Sequence, residues 1–216
     1  MRIWFTSQYR AVTVSFVGVC LTILALLVVI GVQGLSERTT AASLLVLSFM
    51  VFAIGGVLFT GRAFLNWQIK NMTTHLIWER GFVIAAVLAT VLGLVLLEDM
   101  LRSAGDTFLA RLGLVTYFCG AVVVVVSETA SVNKQEWNYA QIVFYVVLAF
   151  LAQAAFGEAL LTTGLVATWV AWATIIWNLG WLLIMLIFSR QNIYYPALHH
   201  VAPLLIGIAL VTAGWH

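Results

Sequence analysis

Residues 139–188 read YAQIVFYVVLAFLAQAAFGEALLTTGLVATWVAWATIIWNLGWLLIMLIF, a stretch of 50 residues whose single charged side chain is Glu158. As one helix it would be about 75 Å long, more than twice the roughly 30 Å hydrocarbon core of a bilayer. The chain has to turn back inside the stretch, and Thr162-Thr163-Gly164 is where it does so. Two spans result, 139–161 and 168–188.

The same criterion, about 20 apolar residues bounded by charges, picks out five more spans at 11–32, 41–61, 76–97, 107–126 and 194–215. Runs such as Leu24-Ala25-Leu26-Leu27-Val28-Val29-Ile30 do not alternate in polarity, which excludes strands of a transmembrane barrel. The expected fold is all-α, a polytopic membrane bundle of seven transmembrane helices forming a single integral membrane domain over 1–216. Seven spans use about 154 residues and leave roughly 62 for tails and loops, too few for a soluble domain. The first apolar run is longer than the core of a secretory signal, and Gly31-Val32-Gln33-Gly34 is a poor cleavage site, so it is read as a retained helix.

Composition agrees. The 216 residues are 63% hydrophobic and 8% charged, whereas soluble domains are nearer one quarter charged. Ten bases against eight acids, with no long Lys/Arg run, exclude a nucleic-acid partner. The two cysteines, Cys20 and Cys119, both lie in apolar runs and make no disulfide framework.

Orientation follows from where the basic residues fall. Arg2, Arg10, Arg62, Lys70, Arg80, Lys134 and Arg190 lie on the amino-terminal side, against Arg38, Arg102 and Arg111 on the other. Seven against three predicts a cytoplasmic amino terminus and an external carboxyl terminus, in a plasma membrane or bacterial inner membrane. Tyr9, Trp67, Trp78, Trp137, Tyr139, Tyr194 and Tyr195 fall at the predicted cytoplasmic boundaries, as interfacial aromatics should.

Small residues predict close helix packing: Ala85, Ala89 and Gly93 in the third span, Gly55-Gly56 in the second, Ala155 and Ala159 in the fifth, Gly207 and Gly214 in the seventh. In the sixth span Trp177 and Trp181 share a face, and with Asn178 beside them they are candidates to line an aromatic ligand pocket.

Polar side chains inside a span ask for a reason, because a central charge costs roughly 2.5–3.5 kcal/mol on insertion scales. Arg111 and Glu158, each about one turn from an outer helix end, are expected at similar depth as an ion pair, as water-exposed ends, or as part of an outer polar vestibule rimmed by Glu98, Asp99 and Asp106. Gln153 and Asn178 are near mid-membrane and predict an interhelical amide hydrogen bond or a ligand contact. Toward the cytoplasmic side His75 and Glu79 share a helix face, Glu128 ends the fourth span, and His199 and His200 enter the seventh at a depth of roughly 8 Å. Imidazoles with carboxylates are ligand types that suit zinc or iron. Adjacent histidines point about 100° apart on a helix, which works against both serving one metal. Pro203 should kink the seventh helix and release the carbonyl of His199.

A seven-helix chain invites comparison with microbial rhodopsins, but the only lysines are Lys70 and Lys134, both in predicted loops, so a retinal Schiff base is excluded. The topology is similar to that of seven-helix hydrolases of the adiponectin-receptor and alkaline-ceramidase kind. The likeness stops at topology: His199 and His200 are adjacent and the second span has no histidine, so no catalytic residue carries over.

Three functions fit these residues. One is a non-catalytic accessory or ligand- and lipid-binding bundle, whose partners are the bilayer and a second copy or a membrane complex. Another is a metal-dependent intramembrane enzyme with His75, Glu79, Glu128 and His199 or His200 at the cytoplasmic leaflet. The last is a small-solute or proton transporter using Arg111, Gln153, Glu158 and Asn178 as stations. Sparse intramembrane charge disfavours the transporter, and the adjacent histidines disfavour the enzyme, which leaves the binding bundle by elimination.

Overall fold

Short polar residues begin three of the helices. The Ser36 hydroxyl accepts from the Thr39 amide at 3.3 Å, Asn71 Oδ1 accepts from the Thr74 amide at 3.0 Å, and the Asp106 carboxylate accepts from the amides of Leu109 (3.3 Å) and Ala110 (2.9 Å). Each supplies an acceptor to helix-start amides that have none within the helix. The computed structural model describes residues 7–33, 36–106, 108–134, 139–188 and 195–212. Its helices are α1 (Ser7–Val32), α2 (Glu37–Ala63), α3 (Met72–Ser103), α4 (Leu109–Lys134), α5 (Tyr139–Thr163), α6 (Thr168–Phe188), α7 (Tyr195–Leu198) and α8 (Val201–Thr212). The described residues contain no strand, and the fold is an all-α bundle.

Six of the helices, α1 to α6, are long and apolar enough to cross a membrane. Four of them run past the apolar stretches that predict them by several residues at one or both ends. The turn expected between the fifth and sixth spans is present: Gly164 has φ +65°, a backbone region that glycine enters without strain, and its amide bonds the Leu160 carbonyl at 3.1 Å.

The seventh element departs from expectation. Instead of one helix over 194–215, the chain forms the four-residue α7, a turn at His199-His200, and the 12-residue α8. Alone, α8 is roughly 18 Å long and does not span a bilayer core. Pro203 accounts for part of this, since it has no amide to return to the His199 carbonyl; the Leu204 amide bonds the His200 carbonyl at 3.3 Å.

Within the bundle α3 is central, packing against α1, α2 and α4, while α5 lies between α4 and α6, and α8 rests on α2 and α6. Ala85 and Ala89 are fully buried in a cluster with Ile23 and Leu27 of α1 and Val51 and Phe52 of α2, as the small-residue stripe predicts. A Cβ on Gly207 would lie 2.9 Å from the Ala42 carbonyl oxygen, so α8 approaches α2 too closely for any larger residue. Arg38 closes that end, donating from Nε to the Leu210 carbonyl at 3.0 Å and from Nη2 to that of Leu165 at 3.5 Å. Gly214 lies outside the described residues.

Candidate functional site

Two polar groupings occupy the interior. The first lies at the end of the bundle where α2 stops and α3 starts. Glu79, fully buried, receives a two-pronged ion pair from Arg62 at 2.9 Å through both Nε and Nη2. His75, one turn before it on α3, places Nε2 3.4 Å from the same carboxylate and 3.2 Å from the Leu58 carbonyl. Arg80 then bridges to α4, with Nη2 3.2 Å from Glu79 and Nη1 2.8 Å from Glu128. Ser131 donates to the Glu128 backbone carbonyl at 2.8 Å. Buried charges persist when paired and hydrogen-bonded in this way.

His75 and Glu79 thus share a face and touch, as their spacing predicts. Glu128 is joined to them only through the Arg80 guanidinium, a cation where a metal site would place its ion. Among the described residues, no three of His, Cys, Asp and Glu converge as a metal-binding group. Arg62 and Arg80 are the partners that sequence reasoning misses, because the charge pattern places both at span boundaries. The signal was available for Arg80, which follows Glu79 directly between apolar runs.

The second grouping is built around the break between α7 and α8. His199 and His200, predicted near the inner leaflet, are fully buried in the bundle. His200 stacks on Phe52 with ring centroids 4.1 Å apart, and Phe52 is 11 residues, roughly 16 Å, from the Ala63 end of α2. A depth counted at about 1.5 Å per residue does not apply here, because the seventh element is not a continuous helix but turns at these residues. His199 stacks on His200 at 4.1 Å and meets the edges of Tyr145 (5.0 Å), Tyr117 (6.2 Å) and Phe150 (6.5 Å). The Tyr117 and Tyr145 hydroxyls lie 3.3 Å apart.

Gln153 and Asn178 join this centre. A Cβ on Gly157 would sit 3.2 Å from Thr174 Cγ2, and one turn from each, in the same direction along the antiparallel α5 and α6, come Gln153 and Asn178. The expected amide bond between them does not form. Asn178 Nδ2 donates instead to the Thr174 carbonyl at 2.7 Å, always within reach one turn back, and Gln153 Nε2 faces His199 Nδ1 at 3.5 Å. Gln153 Oε1, Asn178 Oδ1, His199 Nε2 and both nitrogens of His200 are consequently buried with no hydrogen-bond partner among the described residues.

This donor and acceptor set has a definite chemistry. With Gln153 Nε2 as donor, His199 Nδ1 is the acceptor and the proton resides on Nε2. The centre therefore offers amide oxygens as acceptors and the His199 Nε2–H as a donor, and none of its four side chains is a Lys, Arg, Asp or Glu. The two imidazoles lie with ring centroids 4.1 Å apart and planes tilted by 35°.

Trp177 and Trp181 meet edge to face at 5.8 Å, as residues one turn apart on a shared face. Trp177 Nε1 donates to the Leu198 carbonyl at 2.8 Å, so this indole clamps the break. The Arg111–Glu158 ion pair is not formed: Arg111 reaches Glu98 at 3.4 Å, on the helix joined to its own by a short turn, and Glu158 is exposed on α5. Asp99 pairs with Arg102, and Asp106 caps α4, so both acids have local partners.

Fold and site together describe a helical bundle of membrane type with an uncharged polar centre at an interrupted helix. Compared with protein-family models, curated proteins and solved structures, the chain matches none of them.

Proposed function

We propose that this chain is a multi-pass integral membrane protein, oriented with its basic end in the cytoplasm, that binds a small uncharged hydrogen-bonding solute at the centre formed by Gln153, Asn178, His199 and His200. The observation that carries this reading is that five of the seven buried side-chain polar atoms without a partner among the described residues belong to these four side chains. An unmet buried polar group costs about 1–3 kcal/mol, and five would rival the whole stability of a folded domain, about 5–15 kcal/mol. A molecule with both donors and acceptors offsets that cost. The absence of Lys, Arg, Asp and Glu from these four side chains favours a neutral molecule over an ion.

The test uses acetamide, imidazole and glycerol as probes on protein purified from membranes in mild detergent. Saturable stabilisation of the wild type by at least one probe, absent in Gln153→Leu/Asn178→Leu, is the expected result, since a ligand of the native state raises its stability by RT ln(1 + [L]/Kd). No stabilisation by any probe would leave buried water as the occupant and overturn the reading. Elemental analysis addresses the enzyme alternative: near-stoichiometric zinc or iron, lost in His199→Ala/His200→Ala, would replace the binding bundle with a metal site.

The interrupted seventh element favours a transport reading as the second choice, because discontinuous helices with polar residues at the break build mid-membrane solute sites in transporters. Flux of a stabilising probe into liposomes, abolished by Asn178→Leu, would establish it. Binding without flux would keep the protein a receptor or accessory subunit.

A further inference from the structure

The outward face of α2 and α3 carries a second site, distinct from the buried centre. A groove of about 590 Å³ runs between them, lined by Ile54 and Leu58 of α2, Trp78 and Phe82 of α3, and Trp67 and Lys70 of the connection. The connection is folded back and built into the helix. The Trp67 amide bonds the Gly61 carbonyl at 3.0 Å, Asn66 adopts φ +50°, and a Cβ on Gly61 would fall 2.4 Å from the Trp67 indole. The bare backbone of Gly61 is therefore the seat of that ring.

Polarity changes along the groove in one direction. Lys70 and Asn71 come just before α3, at the end we take as the mouth, and Thr74 with His75, then Trp78 and Phe82, follow along α3, with Ile54 and Leu58 opposite on α2. The sequence of cation, amide and hydroxyl, indole, then hydrocarbon is the profile of an amphiphile lying across a membrane interface. Charge is one-sided as well. None of the lining residues is acidic, and the nearby Glu79 is taken by Arg62 and Arg80. Lys70 is exposed and has no carboxylate at salt-bridge distance among the described residues.

We propose that this groove binds one anionic phospholipid, its phosphate against Lys70 at the mouth and an acyl chain along Trp78, Phe82, Ile54 and Leu58. The proposal rests on the membrane part of the function above and not on the buried centre. The basic end is the one the charge count assigns to the cytoplasm, whose leaflet is rich in anionic lipid.

The experiment is native mass spectrometry of the full chain, extracted from membranes in mild detergent, with phosphatidylglycerol or phosphatidylcholine of identical acyl chains. Wild type is expected to retain phosphatidylglycerol about fivefold better, the factor one surface lysine contributes. Lys70→Gln should equalise the two lipids, and Leu58→Trp, which fills the groove, should lower both. Equal retention by wild type, or a preference that survives Lys70→Gln, would overturn the proposal. Displacement of phosphatidylglycerol by inorganic phosphate, or indifference to Leu58→Trp, would overturn it as a lipid site. Lys70 lies outside the packed interior, so folding of Lys70→Gln, checked by its unfolding midpoint, keeps the result interpretable. Recovery of the chain from the soluble fraction would instead refute the membrane reading before any lipid is added.

Discussion

The indole N–H of Trp177 donates to the Leu198 carbonyl at 2.8 Å, joining α6 to the last residue of α7. Leu198 is where the seventh element stops, and a carbonyl at a helix end needs a donor from elsewhere. Trp177→Phe keeps an aromatic ring and deletes the donor. It should destabilise the protein by about 1–3 kcal/mol. The measurement is the unfolding midpoint in detergent, and an unchanged midpoint would show that the clamp contributes nothing.

Arg80 stands between two buried carboxylates, Glu79 and Glu128. Arg80→Met should cost about 3–5 kcal/mol because it leaves Glu128 buried without its cation. Adding Glu128→Leu should recover part of the loss, a coupling that a double-mutant cycle reads directly. Arg102→Met is the control: its partner Asp99 is 45% exposed, and such pairs contribute at most about 1 kcal/mol.

Gly207 and Gly56 should respond oppositely. Gly207→Leu forces a side chain against the Ala42 carbonyl at 2.9 Å and should separate α8 from α2, with a loss of about 1–3 kcal/mol or failure to fold. Gly56 has nothing within 4 Å of a built Cβ. Gly56→Ala should leave stability unchanged or raise it by up to about 1 kcal/mol through helix propensity. Unfolding midpoints of the two variants check the contrast.

Arg111 and Glu158 should be energetically independent. The double variant Arg111→Gln/Glu158→Gln is expected to equal the sum of the single variants within about 0.5 kcal/mol. Arg111 with Glu98 should show a small coupling, at most about 1 kcal/mol, since Arg111 is 62% exposed. A large Arg111–Glu158 coupling would mean that the two residues meet after all.

Much of the local pairing was legible in advance. His75 and Glu79 share a face because four residues nearly complete a helical turn, and they are in contact. The buried stripe of Ala85, Ala89 and Gly93 follows from the same spacing. Glu128 is read as a candidate ligand at the end of the fourth span, but its actual partner is not legible, because Arg80 reaches it from another helix and spacing along one chain carries no information about that. The amides of Gln153 and Asn178 were placed on neighbouring helices correctly, yet their bond to each other lost to nearer acceptors.

By itself the sequence determined that the chain is all-α, that it turns back near Gly164, and where six of the seven spans it marks lie, the seventh being a short helix instead. These are properties of run length and polarity, which are linear along the chain. Tertiary structure alone decided that Arg62 and Arg80 neutralise the buried carboxylates, that the seventh element breaks at His199-His200, and that His200 lies against Phe52 while His199 meets Tyr117 and Tyr145. The physical reason is that a buried polar group takes whichever partner lies within about 3 Å, and that distance depends on how helices far apart in sequence pack.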